Sequence, residues 1–119
     1  MSNHLALVIE DEADLAKIFS LALESAGFSP EIICTGDGAR ELLAEVVPEV
    51  AILDLRLPRV DGDELLRQIR ADARLAGTRV IVATADPLMA QTLQGAADLV
   101  LIKPISFSQL RDLAKQLRG

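Results

Sequence analysis

At 119 residues the chain has room for one domain, and a domain of that size buries about two-thirds of the surface its unfolded chain exposes, enough to be stable without staples. A formal charge of −6 argues against direct binding to nucleic acid, and the start MSNHLALVIEDE lacks the basic region and the long apolar run of a secretory signal. Half of the residues are hydrophobic but only 3% are aromatic, so the core must be built from Val, Ile, Leu and Ala, a composition suited to an α/β fold.

Leu5 to Ile9 is a short apolar run that ends on Glu10, Asp11 and Glu12, and it reads as a strand with acids at its C-terminal edge. Asp14 or a neighbouring acid is placed to cap the helix that follows. In that helix Leu15, Ile18, Phe19, Ala22, Leu23 and Ala26 recur at helical spacing, and Gly27 closes it. Phe28 to Cys34 is a weaker strand, because Pro30 and Glu31 favour an edge position. Cys34 is the only cysteine and cannot form an internal disulfide; it is expected to be a small buried apolar residue. Thr35 to Gly38 form a turn and helix start, Ala39 to Val46 is helical, and Pro48 stops it.

Val50 to Asp54 is an apolar run closing on one acid, which predicts a central strand covered on both faces. Pro58, Asp61 and Gly62 belong to the loop and helix start after it. Glu64 to Arg74 reads as a helix with Leu65, Leu66 and Ile69 inward and Arg67, Arg70 and Arg74 on a solvated face. Arg79 to Thr84 is a fourth strand, Pro87 to Gln94 a short helix, Leu99 to Ile102 a fifth strand and Phe107 to Leu117 a last helix. Residues 80 to 102 are apolar but interrupted by Asp86, Pro87, Gln91, Gln94 and Asp98, so a membrane span is not expected and a cytoplasmic location is. His4, ahead of the first strand, is expected to be exposed.

Strands alternating with helices imply a parallel sheet with right-handed crossovers and helices on both faces. In the flavodoxin-like order 2-1-3-4-5 the switch point lies between strands one and three. The C-terminal sheet edge then collects Glu10, Asp11, Asp54, Thr84 and Lys103. Carboxylates packed together repel and gain proton affinity unless a cation joins them, and a hard divalent ion, magnesium or manganese, is the expected solution, with Asp11 and Asp54 suited to bind it directly. A carboxylate beside such an ion can act as nucleophile toward a phosphoryl group, with Lys103 supplying an ammonium and Thr84 a hydroxyl.

The acids of VIEDE, Asp54 in LDLRLPRVDG, Thr84 and Ala85 in VATAD, and Lys103 and Pro104 in LIKPIS together resemble the receiver domain of two-component response regulators, across essentially the whole chain. The resemblance implies a (βα)5 fold and one receiver domain over residues 1–119, with no output domain. It implies that Asp54 accepts a phosphoryl group from a histidine kinase or a histidine phosphotransfer protein. Asp11 would bind magnesium directly, Glu10 largely through water, and the carbonyl of Arg56 would complete the protein ligands. Thr84 and Lys103 would engage the phosphoryl group, and Pro104 would follow a cis peptide.

Two positions depart from the family pattern: Glu10 stands where aspartate is commoner, and Val100 where many receivers carry a Tyr or Phe that reports the switch. The signal is therefore expected to leave through backbone shifts near Ala85 and the adjacent helix, or through another surface. Arg56 and Asp86, each two residues past a motif residue, are expected to meet at the mouth of the site and lengthen the phosphoryl lifetime. Pro87 to Ala97 carries no charge; one side must pack on the sheet. If Leu88 or Met89 faces outward instead, residues 87–118 form an apolar face for a downstream protein or a second copy. A phosphatase is a weaker reading, since Arg56 replaces the acid that would assist turnover, and a phosphorylation-independent binding module leaves the acids, Thr84 and Lys103 unexplained. The expectation is a signalling phosphoacceptor and not an enzyme.

Overall fold

Val50 to Asp54 are all buried, and so are Ala6 to Ile9, as continuous apolar strands in the middle of a sheet must be when both faces are covered. The computed structural model describes residues 4–57 and 61–118; Pro58, assigned from the sequence to the loop after the third strand, lies outside them. The elements are β1 (Leu5–Ile9), α1 (Ala13–Ser25), β2 (Ser29–Ile33), α2 (Gly36–Leu43), β3 (Val50–Asp54), α3 (Gly62–Ala71), β4 (Arg79–Thr84), α4 (Pro87–Thr92), β5 (Leu99–Ile102) and α5 (Phe107–Arg118). All strand pairs are parallel and the order is β2-β1-β3-β4-β5, the flavodoxin-like arrangement.

Side chains alternate across the sheet and build two cores. Ala6, Val8, Val50, Ile52, Ile81 and Ala83 pack with Phe19 and Leu23 of α1 and Leu110 and Ala114 of α5. Leu7, Ile9, Ala51, Leu53, Val80 and Val82 pack with Ala39 and Leu43 of α2 and Leu65, Leu66 and Ile69 of α3. α1 and α5 thus cover one face, and α2 and α3 the other.

Several expectations are corrected by local chemistry. Ile18 is exposed, because it sits about 100° around the helix from Phe19, at the margin of the stripe centred on Phe19, Leu23 and Ala26. The N-cap of α1 is Glu12, without a side-chain cap bond, and Asp14 lies in the first turn. Gly27 follows the C-cap Ala26 at φ +99°, as its position after the helix requires. β2 is one residue shorter at each end than Phe28–Cys34: Phe28 is buried in the core, and Cys34, just past the end of this edge strand, is exposed. α2 starts at Gly36 because the Thr35 hydroxyl accepts from Gly38 N–H at 3.0 Å, and it ends at Leu43, where Glu45 N–H turns to Leu42 O at 2.9 Å. α3 stops at Ala71, since the Asp72 carboxylate accepts from Arg74 N–H at 2.9 Å and opens a separate 3-10 turn, Ala73–Leu75. α4 closes at Thr92, two residues before the expected Gln94.

The arginines of α3 and of the 3-10 turn after it do not share one solvated face. Arg67 pairs with Asp63, at 3.5 Å and largely in water. Arg70 donates to Ala96 O at 2.8 Å and to Asp98 Oδ2 at 2.9 Å, tying α3 to the connection between α4 and β5. Asp98 Oδ2 also accepts from Val80 N–H at 2.6 Å; burial opposes its charge, but that amide and the Arg70 guanidinium outweigh burial and hold the carboxyl below its usual range. Arg74 reaches Leu43 O at 2.7 Å. His4 is half-buried, with Nδ1 2.8 Å from Glu49 Oε1 and its ring edge-on to Phe28.

Candidate functional site

Parallel pairing brings the strand ends into line: Ile9 stands opposite Leu53, Asp54 opposite Ala83 and Thr84 opposite Ile102. The residues that end or follow these strands, Glu10, Asp54, Thr84 and Lys103, therefore share one edge at the point where β2 departs from β1 on one side and β4 from β3 on the other. Glu10 is 1% exposed, Asp54 6% and Thr84 4%, while Asp11 is open to solvent.

Each buried group is held. Lys103 Nζ lies 3.0 Å from Glu10 Oε1 and 3.5 Å from Asp54 Oδ1. Asp54 Oδ1 accepts from Arg56 N–H at 3.1 Å, Glu10 Oε2 from Glu12 N–H at 3.3 Å and Thr84 Oγ1 from Asp86 N–H at 3.1 Å. Lys103 N–H donates to Thr84 O at 2.8 Å, and the Lys103–Pro104 peptide is cis, as the resemblance implied.

The charges respond to this packing. Burial pushes the Glu10 carboxyl up to about 7, and the Asp54 carboxylate adds to the effect while Lys103 opposes it. Burial works against the Lys103 charge, but Glu10 and Asp54 outweigh it and hold the ammonium above the usual lysine range. One oxygen from each of Glu10, Asp11 and Asp54 lies within 4.8 Å of the others. Three carboxylate oxygens at that spacing, with one ammonium beside Glu10 and Asp54, keep a negative excess and fit a small hard cation.

A cleft of about 350 Å³ opens beside this cluster, with Leu55, Arg56, Asp61, Thr84, Asp86 and Met89 among its walls. Arg56 and Asp86 both reach it, but among the described residues no ion pair joins them. Asp86 Oδ1 instead accepts from Leu88 N–H at 3.0 Å and caps α4. Val100 is half-buried against the α2 and α3 core, whereas Ala85 and Pro104 are exposed. Leu88 does not pack on the sheet: it is 74% exposed, and Ile102 of β5 and Phe107 of α5 are also exposed. The sequence reading missed Asp61 and Met89 as walls of the cleft and the amides of Glu12 and Arg56 as anchors. Residue type carries no signal for a backbone donor.

The family model of the response regulator receiver domain matches residues 6–115. The chain is 33% identical over 125 residues to the probable methanogenesis regulatory protein FilR2 of Methanothrix harundinacea, covering 96% of this chain and 81% of that protein. It is 34% identical over 113 residues to the phosphate regulon transcriptional regulatory protein PhoB of Rhizobium meliloti, covering 92% of this chain and 50% of that protein. The chain thus spans about half the length of several curated relatives it matches, 44% in the case of RpaA of Synechocystis. Its fold matches the chemotaxis response regulator CheY4 of Vibrio cholerae with a TM-score of 0.86 at 21% identity, over 98% of this chain and 99% of that one.

Proposed function

We propose, because this chain belongs to the response regulator receiver domain family, that it is a cytoplasmic phosphoacceptor switch of two-component signalling, with Asp54 as its nucleophile. The carrying observation is the near-buried Asp54 carboxylate, gripped by the Arg56 amide and Lys103 within reach of Glu10 and Asp11. An oxygen of Asp54 attacks the phosphorus of a phosphohistidine on a histidine kinase or phosphotransfer protein. The P–N bond breaks, and the imidazole leaves as it takes a proton. Lys103 exchanges its 3.0 Å contact with Glu10 for a phosphoryl oxygen. Thr84, whose oxygen accepts from Asp86 N–H, has no acceptor for its own O–H among the described residues and donates it to another. A magnesium or manganese ion held by Asp11, Asp54, the Arg56 carbonyl and, through water, Glu10 would neutralise the charge on the phosphoryl oxygens.

The added charge at Asp54 then biases the neighbouring loops and α4 toward a partner-binding form. Val100 has no ring to report the change, so the outward route runs through the β4–α4 connection that Thr84 and Asp86 share. Arg56 and Asp86 at the mouth of the cleft limit water and set the lifetime of the phosphoryl group. Leu88, Ile102 and Phe107 offer the apolar output face, to a downstream protein or a second copy.

Incubation with magnesium and acetyl phosphate tests this reading. The expected result is an acid-stable, hydroxylamine-sensitive adduct that Asp54→Ala abolishes, lost faster from Arg56→Asn than from the parent once donor is removed. No adduct in the parent points to a phosphorylation-independent binding module, and rapid multiple turnover points to a phosphatase. Unchanged or slower loss from Arg56→Asn sinks its role in the lifetime. A sizing column run on the phosphorylated sample distinguishes a second copy from a different partner on the apolar face.

A further inference from the structure

We infer that Gly62 is a positioning residue for the acceptor site: its missing side chain lets the first turn of α3 abut the backbone of Asp54 and Leu55, and this contact fixes where the Asp54 carboxylate and the Arg56 carbonyl stand. The inference rests on the reading of Asp54 and Arg56 proposed above.

Gly62 is buried, opens α3, and donates its N–H to Leu55 O at 3.1 Å. A Cβ on it would collide with Leu55 Cα, and would stand 2.6 Å from Asp54 O and 3.0 Å from Leu55 Cδ2. The first two are backbone atoms and cannot swing aside. Conformational freedom is not what this glycine supplies, since positive φ angles fall at Gly27 and Gly95. Close approach is what it supplies. A side chain here must push α3 away or shift Asp54 and Leu55, and the residue that follows them is Arg56, whose N–H holds Asp54 Oδ1 at 3.1 Å. A shift of a few tenths of an ångström stretches and weakens that anchor and changes the spacing of Asp54 from Glu10, Asp11 and Lys103. Helix propensity pulls the other way, because alanine is a better helix former than glycine. Gly77 supplies a control, with no heavy atom within 4 Å of the Cβ it would carry.

The test compares the parent protein with Gly62→Ala and Gly77→Ala. Magnesium affinity is read by titration calorimetry, the rate of adduct formation from acetyl phosphate at saturating magnesium, and the melting temperature in chelator. Gly62→Ala is expected to weaken magnesium binding about 10- to 100-fold, the usual loss when a group that orients metal ligands is disturbed, and to slow adduct formation at a temperature where it is folded. Gly77→Ala is expected to match the parent in both. A Gly62→Ala protein that melts lower yet binds magnesium like the parent overturns the inference, since a purely structural role moves only the melting temperature. If Gly62→Ala does not fold, amide exchange in the parent decides: magnesium should slow exchange at Gly62 N–H as well as Arg56 N–H, and an unaffected Gly62 overturns the inference. A parent that takes neither magnesium nor phosphoryl removes the Asp54 reading itself, whereas a loaded parent matched by Gly62→Ala removes only the positioning role.

Discussion

Lys103→Met is expected to slow phosphoryl transfer to Asp54 about 100- to 1,000-fold, the usual loss when one preorganised charge partner of a transition state is removed, and at the same time to tighten magnesium binding. The two effects have opposite sign for one electrostatic reason. The ammonium lies 3.0 Å from Glu10 and 3.5 Å from Asp54, so without it the acids hold a larger negative excess and attract a divalent cation more strongly. During transfer the charge to be neutralised moves onto phosphoryl oxygens, where methionine offers nothing. Calorimetry for magnesium and the rate of adduct formation from acetyl phosphate measure both halves. Weaker magnesium binding, or an unchanged rate, contradicts the assignment of Lys103 to the site.

The second large effect is a loss of metal-free stability as pH rises. The Glu10 carboxyl moves from 4.5 to about 7 in the folded protein, first because burial disfavours its charge and then because Asp54 is beside it. Between those values the folded state binds more protons than the unfolded one, so stability falls as pH increases; an acid with a depressed folded value would show the reverse. The displacement corresponds to a loss on the order of 3 kcal/mol across that window. Urea unfolding in chelator is expected to show this decline in the parent and a nearly flat profile in Glu10→Gln, which hydrogen-bonds without a charge to bury. Saturating magnesium should reverse the trend, because metal binding requires the deprotonated acid. A parent that is as stable in chelator at neutral pH as at pH 4.5 contradicts it.

Much of the fold is legible in local patterns. Val50 to Asp54 can be read as a central strand because a run without polar interruptions has no solvent face, and Gly27 as a stop because few other residues tolerate its φ. The exposed Cys34, the exposed Leu88 and the inward-reaching Arg70 are not legible in that way. A residue at the end of a strand or on a short helix is covered or bare according to which other element passes over it, and no local periodicity contains that information. Arg70 looks like any helix-face arginine until Ala96 and Asp98, far along the chain, come within its reach.

By itself the sequence determined the strands and the acids that end them, the alternation that makes the sheet parallel, and hence the set of residues at its C-terminal edge, since side-chain periodicity and turn chemistry act over a few neighbours. Tertiary structure alone decided which of those groups are buried and how they are paired. The Lys103 bond to Glu10 spans 93 positions, the raised proton affinity of Glu10 comes from the layers that close over it, and the need for glycine at Gly62 comes from the backbone of β3's end, against which α3 is pressed. Coulomb and packing forces act through space, so they depend on distances that exist only once the chain has folded.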